Sequence, residues 1–117
     1  MGSDQLKSAL QNANEVELTV TGRKSGRESS RPLWFVEEGE KLLLLPISGS
    51  DSNWYRNIVK TPEIRLTADG AELAATATTI DADGLADVVG KFEAKYGADQ
   101  VEKFYPKRNA AVEVPLS

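Results

Sequence analysis

Asp69-Gly70 stands between two alternating runs, Glu63–Ala68 before it and Glu72–Ile80 after it. An Asp-Gly pair in that setting is a hairpin signal, because the favoured tight turns need positive φ and glycine adopts it freely. The two runs are therefore expected to pair antiparallel, and the same grammar recurs along the chain. Val16, Leu18 and Val20 alternate with Glu17, Thr19 and Thr21, which reads as a half-buried strand. A strand over Ser30–Val36, a turn at Glu37-Glu38-Gly39-Glu40 and a strand over Lys41–Ile47 read as a second hairpin. Leu33-Trp34-Phe35-Val36 is apolar on both faces, as expected of a barrel strand covered by a helix. Ala111–Val114 alternates into a last strand.

Helical periods separate these strands. Asp4–Asn14 carries Leu6 and Leu10 four apart with Ala9 and Ala13. Trp54–Lys60 is a short helix stopped by Pro62. Asp81 is placed to cap a helix with Leu85, Val88, Val89 and Phe92 on one face, ended by Gly97. Ala98–Tyr105 is a further short helix before Pro106. The order is α-β-β-β-α-β-β-α-α-β. The strand–helix alternation of a doubly wound sheet is absent. The expected class is α+β: a small barrel of about six mostly antiparallel strands with helices packed on it. The small residues Ala74, Ala75 and Ala77 predict close packing of their strand against something bulky.

The chain has 117 residues, the size of one domain, here residues 1–117. It contains no cysteine and no histidine. That excludes disulfides, thiol nucleophiles, Ser-His-Asp catalysis and the usual transition-metal ligand sets. No carboxylate spacing suggests a hard-metal site, so no metal is expected. The net charge is −4, which argues against nucleic-acid binding over a whole face. No apolar run approaches membrane-spanning length and no signal-peptide core is present, so a cytoplasmic location is expected.

Against that acidic background, Thr21-Gly22-Arg23-Lys24-Ser25-Gly26-Arg27 is a cationic, glycine-bracketed turn between two strands. Glycines let backbone N–H groups turn toward a ligand, and Arg and Lys add charge-assisted hydrogen bonds. The turn suits a compact anion such as phosphate or carboxylate; a solvated hairpin tip is the plain alternative. A second element has the same character. The strand ending at Ile47 runs into Ser48-Gly49-Ser50-Asp51-Ser52-Asn53, which opens the Trp54 helix. Ser, Asp and Asn cluster where an N-cap is needed, and a helix N-terminus favours anions. Arg31 adds a fourth cation, although alternation of strand faces leaves open whether it converges with the others.

Three segments together resemble the deazaflavin (F-420)-dependent nitroreductase family, within the wider flavin/deazaflavin oxidoreductase superfamily. They are Thr-Gly-Arg-Lys-Ser-Gly at 21–26, Pro-Leu-Trp-Phe at 32–35, and Trp-Tyr-Arg-Asn at 54–57 followed by Thr61-Pro62. The resemblance runs from about Glu15 to Leu116. It implies a split β-barrel of the FMN-binding type and a two-electron cofactor, coenzyme F-420, with FMN as the alternative. It also implies an oxidoreductase that transfers hydride to an electron-poor organic substrate such as a quinone, nitro compound or enone. By the resemblance, Arg23, Lys24, Ser25, Gly26 and Arg27 hold the cofactor's phosphate and carboxylate tail. Pro46, Ile47, Ser48 and Gly49 lie near the deazaflavin ring, and Trp54 and Asn57 contribute as ligands or as loop support. The loop before Trp54 is shorter than in the nitroreductase type, and Ser29 stands where an Arg is common. No residue is singled out as catalytic; solvent, Tyr55 or a serine hydroxyl are open as proton sources. The alternative function is a non-catalytic module that sequesters a flavin or a lipid-like ligand. The expected partners are the cofactor and an organic substrate, with no nucleic acid and no membrane insertion, in a monomer or homodimer.

Overall fold

The computed structural model describes residues 2–11, 13–80, 82–105 and 108–116. In chain order the elements are α1 (Gly2–Gln11), β1 (Val16–Thr21), β2 (Glu28–Leu33), β3 (Phe35–Glu38) and β4 (Lys41–Leu44). A 3-10 turn (Gly49–Asp51) leads into α2 (Asn53–Lys60), β5 (Glu63–Ala68), β6 (Ala71–Thr76) and β7 (Thr78–Ile80). Then come α3 (Ala82–Tyr96), α4 (Ala98–Phe104) and β8 (Ala111–Pro115). The fold is α+β, with two four-stranded sheets in the orders β2-β1-β5-β6 and β3-β4-β8-β7. All the described pairings are antiparallel. The β5–β6 hairpin turns at Asp69 (φ 48) and Gly70 (φ 82), the positive-φ pair that Asp-Gly predicts.

Eight strands are described where about six were expected, because two expected strands each divide between the sheets. The Ser30–Val36 run breaks at Trp34: β2 pairs with β1 in one sheet, and β3 pairs with β4 in the other. The Glu72–Ile80 run breaks at buried Ala77, whose N–H bonds Pro62 O at 2.8 Å. A strand that changes sheets at a corner keeps its alternation while losing its ladder partner. A period of two therefore cannot reveal the break. The expected cap at Asp81 lies outside the described residues, as does Pro106.

In the second sheet, β4 is buried on both faces. Leu42 and Leu44 face one core with Phe35, Val112, Val114, Trp54 and Ile58. Leu43 and Leu45 face the other, with Val36, Val88, Phe92, Val101 and Tyr105 of the helical layer. This explains the unbroken Leu42–Leu45 run, since no position between the two cores can be polar without cost. The first sheet sends Val16, Leu18, Val20, Ile64 and Leu66 into the first core. Its other face is polar, and Arg65 pairs there with Glu28 and Glu72. Helix α1 packs against β6 and lends Leu6 and Leu10 to the first core. Ala75 is half-buried and Ala77 buried, whereas Ala74 points to solvent. Edge strand β2 is exposed at every residue except Leu33.

Candidate functional site

The turn from Gly22 to Arg27 is tight and internally bonded. Gly22 N–H reaches Arg27 O at 2.8 Å, and Gly26 N–H reaches Gly22 O at 3.0 Å. Arg27 N–H donates to Ser25 Oγ at 3.1 Å, so that oxygen is an acceptor within the turn. A Cβ on Gly22 would stand 2.9 Å from Ser25 Oγ and 3.2 Å from Arg27 O, and Gly26 has φ +72. Gly26 is favoured by its positive φ, and a side chain at Gly22 would crowd Ser25 and the Arg27 carbonyl.

This turn meets the start of α2. Ser52 occupies the N-cap position but makes no side-chain cap; its Oγ accepts instead from Ser48 N–H at 3.0 Å. The first-turn amides of α2 are thus left without a side-chain cap beside a basic turn, an arrangement that favours an anion. A cavity of about 310 Å3 is lined by Gly22, Arg23, Lys24, Ser25, Asn53 and Asn57. A second, of about 370 Å3, is lined by Arg31, Pro32, Leu33, Ile47, Ser48, Asp51, Ser52, Asn53 and Trp54. Asn53 borders both, so the two adjoin along the helix start.

The electrostatics of this edge differ from the rest of the surface. Elsewhere the described cations are engaged: Lys7 with Glu40, Lys41 with Glu113, Arg65 with Glu28 and Glu72, and Lys91 with Glu38 and Asp87, while Lys95 and Arg108 donate to the Phe35 and Tyr105 carbonyls and Lys103 lies over the Phe104 ring. At the rim Arg56 pairs with Asp51 at 3.1 Å. Lys24, Arg27 and Arg31 are exposed and pair with no carboxylate among the described residues. An acidic chain that leaves three neighbouring cations unmatched has a local positive field for an anion.

The candidate residues from sequence divide into three groups. Lys24 and Ser25 line the first cavity, while Ile47 (52 % exposed), Ser48 and Trp54 line the second. Arg31 lines the second cavity, not the first that the turn borders; Asn53 is the residue the two cavities share. Gly26 and Arg27 line neither, although Arg27 is exposed on the same turn. Pro46 and Gly49 are buried behind the loop, with Gly49 at φ 58. Trp54 is 3 % exposed and belongs to the first core, so its main work is packing. Arg23 and Asn57 border the first cavity but bond to each other: Arg23 Nη1 donates to Asn57 Oδ1 at 2.9 Å. Asn53 belongs to the loop expected to contribute backbone amides, but its side chain and Lys60 are not among the candidates from sequence. The two residues stand four before and three after Asn57, the spacing of one helix face.

A separate open groove of about 520 Å3 lies among Leu10, Phe35, Glu37, Glu38, Lys91 and Lys95. Lys95 Nζ donates to Phe35 O at 2.8 Å and lies 3.7 Å from the Phe35 ring centroid. Desolvation there lowers the Lys95 pKa below the ordinary lysine value, against a raising effect of Glu37. Trp34 stacks on Tyr96 at 4.2 Å and meets Phe104 edge-on at 5.4 Å. Tyr96 and Tyr105 are part of the second core's packing.

The family model of the F420H(2)-dependent quinone reductases matches residues 2–116. The chain belongs to that family. It is a deazaflavin-dependent oxidoreductase, and its cofactor is coenzyme F-420. No curated protein sequence matches the reductase significantly. Among solved structures it is similar to an F420-H2-dependent reductase, FDR-A, at 23% identity and TM-score 0.69, covering 86% of this chain and 93% of that one. A structure described as a domain-swapped dimer matches at 22% identity and TM-score 0.67, over 95% and 94% of the two chains. The haem-storage protein of Vibrio cholerae matches at 14% identity and TM-score 0.71, over 96% and 87%. At these identities the three structures share the fold with the reductase.

The donor set fits such a cofactor. Its tail carries a phosphodiester and carboxylates, and the reductase offers unmatched cations and uncapped amides on one edge. The apolar wall of the second cavity, with Leu33, Ile47 and Trp54, suits a planar ring.

Proposed function

We propose that the reductase holds the anionic tail of coenzyme F-420 at Lys24, Ser25, Arg27 and Arg31 and at the first amides of α2. The reacting ring would lie toward Ile47, Ser48 and Leu33. The observation that carries this reading is the set of three unmatched cations in a chain of net charge −4. When bound, the reduced deazaflavin supplies a hydride, for which an electron-poor organic acceptor such as a quinone, nitro compound or enone is the fitting substrate. The protein's part is to bind, orient and compensate charge. Lys24, Arg27 and Arg31 offset the tail's negative charge. Ser25 keeps its hydroxyl proton free to donate while its oxygen accepts from Arg27 N–H. Leu33, Ile47 and Trp54 shield one side from water.

The wider architecture is read as one split β-barrel domain of the FMN-binding type. Its support is the two strand runs that each cross from one sheet to the other. A homodimer is the proposed assembly: β2 is an edge strand exposed on both faces, and one structural neighbour is a dimer. Among the described residues no helix is long and apolar enough to cross a membrane, in keeping with a cytoplasmic location. The test is titration of the protein with coenzyme F-420 and with FMN, then oxidation of reduced F-420 with each acceptor class. Tighter binding of F-420 and acceptor-dependent turnover are expected. Tighter binding of FMN, or binding without turnover on any acceptor, would overturn the reading.

A further inference from the structure

Residue 23 is held by α2 on every polar side. Its N–H donates to Asn57 Oδ1 at 3.1 Å, and its carbonyl accepts from Lys60 Nζ at 2.9 Å. Its guanidinium reaches the same Asn57 Oδ1 at 2.9 Å and, at longer range, Asn53 O at 3.4 Å and Asn53 Oδ1 at 3.5 Å. Asn53, Asn57 and Lys60 are at i, i+4 and i+7, one face of one helix. Asn57 is 7 % exposed and, with Thr19, one of two buried polar residues among those described. A buried amide is costly unless its hydrogen bonds are made, and here one oxygen accepts two.

We infer that Asn57 is a positioning residue that, with Lys60, clamps the basic turn through Arg23, and that Arg23 positions the turn rather than binding the cofactor's anion. This rests on the proposed tail site. The clamp makes the turn and α2 move as one body. Lys24 and Ser25, next in the chain, are then presented toward the uncapped helix start. A free hairpin tip would have to order its backbone on binding, and the clamp removes that cost in advance.

The test compares Asn57→Ala, Asn57→Asp, Lys60→Met and Lys24→Ala in the full chain. Coenzyme F-420 affinity is read by titration, and exchange of the Arg23 amide proton by NMR. Asp keeps the accepting oxygen but loses the donating NH2 and gains charge. Under the clamp, Asn57→Ala weakens binding roughly tenfold and speeds Arg23 amide exchange, and Asn57→Asp, whose charge beside the anion lowers affinity by itself, restores the slow exchange. Were Asn57 instead only a donor to the anion, Asn57→Ala would weaken binding while leaving Arg23 amide exchange as in wild type, and that result would overturn the inference. Lys60→Met, at an exposed position, serves if Asn57→Ala fails to fold: it should weaken binding at an unchanged Tm, and full affinity would count against the clamp. Lys24→Ala tests the tail site separately. If it binds normally the tail site is wrong, while the Arg23 exchange rates still decide whether the clamp exists.

Discussion

Tyr96 joins the helical layer to β3 and to the segment before β1 through one hydroxyl. Its oxygen accepts from Phe35 N–H at 3.2 Å, and its single proton can go to Asn14 O at 2.9 Å or Phe35 O at 3.0 Å. Tyr96→Phe keeps the ring and its stack on Trp34 and removes only these bonds. Phe35 O is still served by Lys95 Nζ, and exposed Asn14 can turn to water. The loss therefore centres on Phe35 N–H in a buried residue, which sets the cost at about 1–2 kcal/mol. Tyr96→Ala also loses the stack, worth about 0.5–1.5 kcal/mol, and the packing of a half-buried ring, so about 3 kcal/mol or more in total. Urea unfolding followed by tryptophan fluorescence measures both. With a slope near 2 kcal/mol per molar, Tyr96→Phe should lower the midpoint by roughly 0.5–1 M, and Tyr96→Ala by more. A Tyr96→Phe midpoint equal to wild type, or Tyr96→Ala no worse than Tyr96→Phe, would refute the hydroxyl's role.

Three further outcomes are expected. Gly26→Ala meets no atom within 4 Å but must adopt φ +72, so it should cost about 1–2 kcal/mol by strain alone, read as a lower Tm. Gly49→Val puts a β-branched residue at φ 58 in a buried loop position and should lower both Tm and F-420 affinity; unchanged affinity would detach this loop from the site. Tyr105 ionises above the ordinary tyrosine range, chiefly through burial and then the charges of Tyr96 and Glu15. The unfolded chain releases that proton near pH 10 while the folded chain keeps it, so stability falls as pH rises beyond about 10. Lys91 and Lys95 titrate in the same region with opposite shifts. The readout is therefore the difference between wild type and Tyr105→Phe, whose decline should be shallower.

Local pattern made much of this molecule legible. The Asp69-Gly70 hairpin, the β3–β4 hairpin and the α3 apolar face are all present, because each depends on residues close in sequence. The breaks at Trp34 and Ala77 were not legible, since a strand crossing between sheets keeps its period of two. The basic turn and the helix start were both marked by glycine and charge, and the cavity lining brings them together. What each cation does was not legible. Arg23 and Lys24 are adjacent and chemically alike in sequence, yet one is bonded to α2 and the other has no carboxylate partner among the described residues. That difference arises from Asn57, thirty-four residues away, and only the folded chain brings the two into contact.

The central claim is that the cofactor lies along the turn and the α2 start. Backbone amide shifts on titration with coenzyme F-420 test it most directly. The largest changes should fall at Gly22–Arg27, at Arg31 and Leu33, and at Ile47–Trp54, and should weaken with added salt as exposed charges are screened. Changes concentrated instead around Leu10, Phe35, Glu37 and Lys95, which line the other large groove, would contradict the account.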